Sequence, residues 1–363
     1  MAKNIRYIIV DAGKNTVKFS EILTNGKIKS LGSFPARYSQ GTSNVVNTNV
    51  DYQENVETKN FQVVYKGEHF VLGEHGTFYC NFNSKKHPIH RLCAYTAIGN
   101  IVDDGDTIHL IIGSTYNYAK SDDDKKELVD FYKDRSDIDI IINRVQKKFK
   151  IFDVSVYPEG LALILRMLYR KHDIQVGFDI GGSTIDVYNF ESTDSEYLTS
   201  DNSYGINVLY KKLARELSLY ARNIRPTEQD FLDIIKKSSK LSITLTDEQL
   251  NNLNQIVDSF VGNIINLSLQ EYTDYRKCLL YSGGSSIVLK DRIIEGLVKA
   301  GVSRDNILFA NSPFDNVFSY GLSFLREEIA KNDMAKYAQI GKSFSMDAVK
   351  LEKEIIEKEE LFV

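Results

Sequence analysis

The sequence predicts an α/β protein built from two related lobes. At 363 residues, 42% of them hydrophobic, the chain is longer than one typical core requires and can bury two. Two segments, the second beginning about 170 residues after the first, show the same order of apolar runs and glycine-containing turns. Because this similarity extends over whole structural units, it indicates a duplicated domain and not a short solenoid repeat.

Each of the two segments has four parts: an apolar run, a turn, an alternating stretch and a third short run. In the first segment these parts are Ile5–Val10, 11–13, Thr16–Ile22 and 27–34. In the second segment they are Gln175–Phe178, 179–182, Thr184–Phe190 and 196–199. Alternating runs separated by Gly and Asn turns are typical of β-hairpins. Each segment is therefore predicted to form a three-stranded meander with an Asp-Gly turn at its first bend.

Helices are predicted between and after the meanders. The segment from Pro158 to His172 has proline at a first helical position and leucines at helical spacing, so this helix is expected to cross from one lobe to the other. Thr246 and Gln249 predict a capping box at the start of a long helix. The remaining helical predictions are 122–124 as a helix start, 205–219, 227–237, 246–272, a strand-turn-helix over 277–296, and a solvated charged helix over 347–360.

The predicted lobes follow from these elements. Lobe I comprises 1–172 and is completed by helices within 323–363. Its polar, Asn-rich segment around 32–76 is predicted to be an inserted subdomain more than core. Lobe II comprises 173–322 and carries a helical insertion around 205–275.

Composition excludes several classes of partner. The formal charge of -4 and the pI near 6.0 lack the basic excess that nucleic acid or an anionic membrane would attract. No stretch approaches the roughly 20 apolar residues of a membrane span. The cysteines Cys80, Cys93 and Cys278 have unrelated spacings and are interpreted as ordinary thiols. A soluble cytoplasmic protein without direct DNA or membrane contact is therefore expected.

The first turn has residues that suit a phosphate. Asp11 ends an apolar strand beside Gly13, whose small size lets the backbone approach an anion, and exposed turn amides can cradle phosphate oxygens. Lys18 adds a positive charge for the outer phosphates. The neighbouring candidate residues of this loop are Lys14, Asn15 and Thr16. Asp-Gly turns are also common in plain hairpins, so both interpretations stay open at this point.

The second turn is more specific. Gly181 and Gly182 follow an apolar strand that ends in Asp179, and the hydroxyl residues Ser183 and Thr184 come next. Mg²⁺ prefers oxygen ligands and keeps several waters, so Asp11 and Asp179 are predicted to hold this metal through water. His87 and His90 lack a Cys or carboxylate partner at zinc-site spacing, so we predict a structural or surface role for both.

Taken together, these motifs resemble those of the actin, Hsp70 and sugar kinase superfamily. The matching segments occur in the family's order along the chain: 11–18, 157–162, 179–186, 280–286 and 312–322. Within the superfamily the chain is similar to the bacterial plasmid-segregation actins, the ParM-like proteins. The clearest marks are the segment from Phe61 to Gly73 and the dipeptide Pro158–Glu159.

The resemblance implies a two-lobed actin-like fold of duplicated ribonuclease H-like domains, with a nucleotide cleft between the lobes. It implies that Glu159 activates the water that attacks the γ-phosphate; the plain alternative is an acidic residue that favours a helix N-terminus. It also implies adenosine contacts from Gly283, Gly284 and Ser285. Further contacts to base and ribose are implied for residues that are otherwise a solvated helix face: Lys211, Lys212, Arg215 and Glu216.

The resemblance further implies an ATPase whose Mg²⁺-dependent hydrolysis is coupled to polymerisation. ATP favours a head-to-tail filament, hydrolysis destabilises it, and a ParR-like DNA-binding adaptor joins the filament to plasmid DNA. Lys14 departs from the usual first loop, which leaves GTP open as the nucleotide. The alternatives are a small-molecule, sugar-type kinase of the same superfamily and a cell-shape or cell-division actin homologue.

Overall fold

The structure, a computed structural model, divides into two compact units. One comprises Met1–Leu161 with Asn316–Val363, and the other comprises Ala162–Asp315. The predicted lobe boundaries, after residues 172 and 322, lie a short way further along the chain. The residues that the structure describes are 5–23, 28–41, 59–80, 82, 84–133, 137–161, 163, 172–190, 196–201, 204–220, 226, 228–238, 243–310 and 312–332.

Two β-sheets form the framework, one in each unit. The strands of the first sheet are β1 Ile5–Ala12, β2 Thr16–Ile22, β3 Ile28–Pro35, β4 Arg37–Gly41, β5 Asn60–Tyr65, β6 Glu68–Gly73, β7 Phe78–Tyr79, β8 Asp106–Ser114, β9 Ile138–Ile142 and β10 Val145–Pro158. The strands of the second sheet are β11 Ile174–Ile180, β12 Ile185–Asn189, β13 Glu196–Asp201, β14 Cys278–Ser282 and β15 Ile307–Phe309.

Helices accompany both sheets. Their bounds are α1 Pro88–Ile101, α2 Tyr116–Lys120, α3 Asp122–Lys133, α4 Ile206–Tyr220, α5 Glu228–Ile235, α6 Asp247–Glu271, α7 Gly284–Lys299 and α8 Asp315–Asn332. The capping box predicted before α6 is confirmed, because the Thr246 side chain accepts from the Gln249 backbone while the Gln249 side chain accepts from the Thr246 backbone. Along these residues no helix is long and apolar enough to cross a membrane.

The two sheets repeat one pattern, which confirms the predicted duplication. The first has the order β3-β2-β1-β8-β10-β9-β5-β6-β4-β7, and the second has the order β13-β12-β11-β14-β15. In each, a three-stranded antiparallel meander is followed by two parallel strands, β8 and β10 in the first sheet and β14 and β15 in the second. Within each sheet, the carboxyl ends of the central parallel strands therefore lie along the same edge of that sheet, where its predicted turn lies.

The described residues differ from two expectations about this framework. Strands β5 and β6 extend the first sheet through β9 and bury Phe61, Val63, Phe70 and Leu72 in its core, so this part of the 32–76 segment is core. Its polar appearance came from neighbouring residues; positions 42–58 lie outside the described residues. The helix predicted over 347–360 also lies outside the described residues.

The second difference concerns the start of the helix predicted from Pro158. Strand β10 runs through Pro158, which pairs with Ser114 of β8, and residues 159 and 160 form a turn. The chain is helical at Leu161 and Leu163, and the rest of the predicted helix lies outside the described residues. Pro158 has no N–H to donate, and the backbone bond to Ser114 comes from the next residue, Glu159.

Candidate functional site

The first candidate loop joins β1 to β2. Asp11 pairs with Lys18 across this hairpin, and Gly13, Lys14 and Asn15 form its tip. A Cβ atom at Gly13 would lie 2.6 Å from the Thr16 carbonyl oxygen, so the tight turn requires glycine. The Asn15 carbonyl accepts a hydrogen bond from the Ala36 backbone at 2.7 Å, which fixes the tip to the end of β3.

Asp11 is a buried carboxylate at the end of β1. Only 5% of the residue is exposed, and its Oδ2 lies 3.8 Å from Lys18 Nζ. Burial raises the pKa of Asp11, against the opposing effect of the Lys18 and Lys85 charges. Ionisation of this carboxylate is therefore less favourable in the folded protein than in water, and a bound cation would make it more favourable.

Glu159 comes close to the first loop within the same unit. Its backbone N–H donates to the Ser114 carbonyl at 2.6 Å, which fixes the turn after β10 to the end of β8. Its Oε1 lies 2.7 Å from Lys85 Nζ, and Lys85 also donates to the Ala12 carbonyl at 2.7 Å. The Glu159 charge contributes to the raised pKa of Asp11. The structure thus brings Asp11, Lys18, Lys85 and Glu159 together.

Lys85 was missed as a site residue by sequence reasoning. It lies in the segment between β7 and α1, and no motif surrounds it. A lysine that lies far from the loops along the chain gives no local signal, so only the tertiary structure reveals its position.

The second candidate loop joins β11 to β12. Asp179 is buried and pairs with Asp186 of β12 and with Ser282 of β14. The Gly181 N–H donates to the Thr184 carbonyl at 2.9 Å, which closes the turn. The Thr184 hydroxyl lies 3.3 Å from Asp186 Oδ2 and donates to it. The loop has the same parts as the first: a buried strand-end carboxylate, a glycine turn and a returning strand.

Two helices hold the second loop in place. The first backbone N–H groups of α4 donate to it, from Ile206 to the Gly181 carbonyl at 3.3 Å and from Asn207 to the Gly182 carbonyl at 2.9 Å. The Ser285 hydroxyl of α7 donates to the Gly181 carbonyl at 2.9 Å. Gly205 allows this approach, because a Cβ there would lie 2.2 Å from the Ser183 carbonyl carbon. Sequence reasoning used Gly205 only as a helix start and missed this contact.

The Gly283–Gly284 turn lies against the second loop. Gly283 has a φ of +84°, and a Cβ there would lie 2.3 Å from Asp179 Oδ1. Gly284 is the first residue of α7, and a Cβ there would meet only the Pro313 side chain at 4.0 Å. The structure therefore brings the turn predicted to contact adenosine next to the second loop, and requires glycine at the first position only.

The charged residues predicted to contact base and ribose lie on α4. Lys211, Lys212 and Arg215 are exposed, while Leu209, Leu213 and Leu217 bury the other face of the helix. The Glu216 carboxylate accepts a hydrogen bond from Tyr220 one turn further on. These positions fit a solvated helix face as well as a ligand contact, so the predicted contacts stay predictions.

The two histidines near the first loop have different surroundings. His87 caps α1, because its Nδ1 accepts a hydrogen bond from the Ile89 backbone at 3.2 Å. His90 is 1% exposed, and among the described residues neither of its ring nitrogens has a hydrogen-bond partner. Burial, with smaller effects from Lys85, His87 and Lys14, lowers the pKa of His90 to about 3. His90 is therefore neutral in the folded protein.

We expect replacement of His90 by leucine to reduce the acid sensitivity of folding. The unfolded chain takes up a proton on this histidine near pH 6.5 and the folded chain does not until about pH 3, so stability falls as pH falls through this window. The loss amounts to about 1.4 kcal/mol per pH unit for one proton. Urea denaturation at pH 7.5, 6.0 and 5.0 measures it. His75→Leu, at an exposed position, is the control, and parallel pH profiles for wild type and His90→Leu would contradict the assignment.

The described residues contain no group of three or more His, Cys, Asp or Glu side chains that could hold a metal directly. Mg²⁺ commonly keeps several of its own waters and takes one or two carboxylates from the protein. Each loop offers one buried carboxylate beside a partly exposed turn.

Residues 10–161 match a family model, that of the N-terminal domain of actin-like proteins. The chain has the actin-like fold. Among solved structures, this chain is similar to a non-polymerisable quadruple mutant of pCBH ParM, at 16% identity and a TM-score of 0.65, over 89% of this chain and 100% of that one. The resemblance to ParM-like actins predicted from sequence is confirmed, and so is the fold class.

Two further solved structures are similar to this chain. One is Ta0583, an archaeal actin homologue in complex with ADP, at 16% identity and a TM-score of 0.62, over 89% of this chain and 100% of that one. The other is a 15-stranded ParM filament from Clostridium botulinum, at 15% identity and a TM-score of 0.63, over 89% and 99%. Among curated proteins, none matches this chain.

Proposed function

We propose that this protein is an ATPase that assembles into filaments and segregates plasmid DNA through an adaptor. The observation that carries the proposal is the repetition of one loop design in the two units. Each loop has a buried aspartate at a strand end beside a glycine turn, Asp11 in one and Asp179 in the other. Glu159 and Lys18 lie beside the first of these aspartates.

The residues of both loops fit a magnesium-bound nucleoside triphosphate. Carboxylate oxygen is the ligand type that Mg²⁺ prefers. Burial raises the pKa of Asp11 because it disfavours the ionised carboxylate, and a nearby cation would offset this effect. Because the tight turn requires glycine at position 13, no side chain at that position covers the loop backbone. When bound, the metal would neutralise charge on the phosphates.

Within this proposal Glu159 acts on the water that attacks the γ-phosphate. A carboxylate can orient that water or accept its proton. The hydrogen bond from the Glu159 N–H to the Ser114 carbonyl fixes the Glu159 backbone at the end of the sheet. Asp11 and Asp179 hold the metal through water. The phosphate contacts are assigned to 13–16, Lys18 and 181–184, and the nucleoside contacts to 211, 212, 215, 216 and 283–285.

The filament part of the proposal draws on the similar structures. One of them is a ParM filament, and another is a ParM variant made non-polymerisable. Contacts between unlike surfaces of successive copies generate open polymers, and loss of the γ-phosphate is expected to weaken the assembling state. The acidic charge balance of this chain favours attachment to DNA through an adaptor protein over direct binding.

The test is light scattering of the purified protein with ATP or GTP, in Mg²⁺ or in EDTA, alongside phosphate release and electron microscopy. Scattering is expected to rise with Mg²⁺ and the preferred nucleotide and to fall as phosphate is released. Filaments should pellet plasmid DNA only when the adaptor is added. Monomers under every condition, with phosphate transferred to a small acceptor, would favour the kinase alternative. Co-sedimentation with anionic vesicles would favour a cell-shape or cell-division actin.

A further inference from the structure

The Lys85 side chain contacts both Glu159 and the backbone of the first loop. Its ammonium group contacts Glu159 Oε1 at 2.7 Å and donates to the Ala12 carbonyl at 2.7 Å. Ala12 lies between Asp11 and Gly13, at the bend of the first loop. One side chain therefore spans the carboxylate after β10 and the backbone of the phosphate loop after β1.

The contact is partly shielded from water. The Lys85 side chain is 11% exposed and that of Glu159 is 21% exposed. Charges that are removed from bulk water attract one another more strongly, and loss of one partner leaves the other without compensation. Many surface ion pairs contribute almost nothing, so this shielding separates the Lys85–Glu159 pair from an ordinary surface pair.

The Lys85 backbone is attached to a rigid element. His87 caps α1 two residues later, and nearly all of α1 is buried against the sheet. A charged side chain that projects from such a fixed point can hold its partner in one orientation, which a side chain on a free loop cannot.

We propose that Lys85 is a positioning residue for the hydrolysis reaction, which orients the Glu159 carboxylate toward the attacking water and couples it to the first phosphate loop. This inference rests on the proposed function of Glu159. Lys85 itself takes no proton from water, because a protonated ammonium has three N–H donors and no acceptor. Its effect is on the orientation of Glu159, so it belongs to turnover more than to nucleotide binding.

The test compares Lys85→Met with Lys86→Met. Lys86 is the next residue and pairs with Glu127, whose side chain is exposed, so its removal takes away an equal charge at a position outside the cluster. We expect Lys85→Met to lower kcat about tenfold to a hundredfold, the range for misplacing a catalytic group by about 1 Å, and to change the Kd of ATP less than threefold. Lys86→Met should keep wild-type turnover. Lys85→Arg should recover part of the loss.

A double variant distinguishes positioning from an independent role. If Lys85 acts through Glu159, then Lys85→Met should cause little further loss in a chain that already carries Glu159→Gln. Losses that multiply would overturn the proposal, as would Lys85→Met turnover within twofold of wild type or a loss confined to ATP affinity. If Lys85→Met does not fold by circular dichroism, Lys85→Gln and Lys85→Arg carry the same comparison. Unchanged turnover of Glu159→Gln alone would instead refute the proposed role of Glu159.

Discussion

Glu159→Gln is expected to leave ATP binding intact and to slow phosphate release about a hundredfold or more. A positioned general base contributes roughly 10² to 10⁴ in rate, and the amide keeps the shape of the side chain while losing its basicity. Single-turnover phosphate release with saturating ATP and Mg²⁺ measures the effect, and a fluorescent ATP analogue measures binding. Because the lost group acts in the reaction, kcat should fall while Kd stays nearly constant.

Glu127→Gln is the matched control for this variant. Glu127 lies on α3, its side chain is exposed, and it pairs with Lys86. It should hydrolyse ATP like the wild type. If Glu159→Gln hydrolysed ATP as fast as Glu127→Gln, the carboxylate would be an acidic residue of the turn without a catalytic role.

Gly283→Ala is expected to destabilise the second unit and to weaken nucleotide binding together. The added Cβ would lie 2.3 Å from Asp179 Oδ1 and 2.5 Å from the Ile180 carbonyl oxygen, and the φ of +84° disfavours any residue with a Cβ. Backbone strain of this kind costs about 1–3 kcal/mol, before the displacement of Asp179 is counted. Urea denaturation measures the stability, and titration with ATP in Mg²⁺ measures the binding.

Gly284→Ala provides the comparison at the neighbouring position. A Cβ there has only the Pro313 side chain within 4 Å, and Ala favours the first turn of α7 over Gly. Its stability should equal or slightly exceed that of the wild type. Equal stability of Gly283→Ala and Gly284→Ala would show that the Asp179 contact does not constrain the turn.

The two meanders could be predicted from sequence because their signals are local. Alternating apolar residues and glycine turns specify β1 to β3 and β11 to β13 within about 30 residues each, and the Thr246 capping box fixes the start of α6 in the same way. The end of β10 could not be predicted, because Pro158 fits the first position of a helix and no local signal marks it as the last residue of a strand. Pairing of Pro158 with Ser114, far away in sequence, decides between them.

The candidate site divides along the same line. Asp11, Asp179 and Gly283 lie in turns that the sequence marks directly. Lys85 and Gly205 do not, since their roles come from approach to Glu159 and to Ser183 and not from any pattern around them. The residue types of the loops can be recognised from the sequence. The residues that hold each loop against the rest of its unit can be recognised only from the three-dimensional structure.

One edge of each sheet ends in a very short strand, β7 with two residues and β15 with three. A further chain that paired there would gain only a few backbone hydrogen bonds, so these edges offer a poor template for runaway cross-β growth. The reversible assembly proposed above is compatible with this restraint. In the proposed filament, copies of the chain would meet through side-chain surfaces of folded subunits, and such contacts can separate when the subunit changes state.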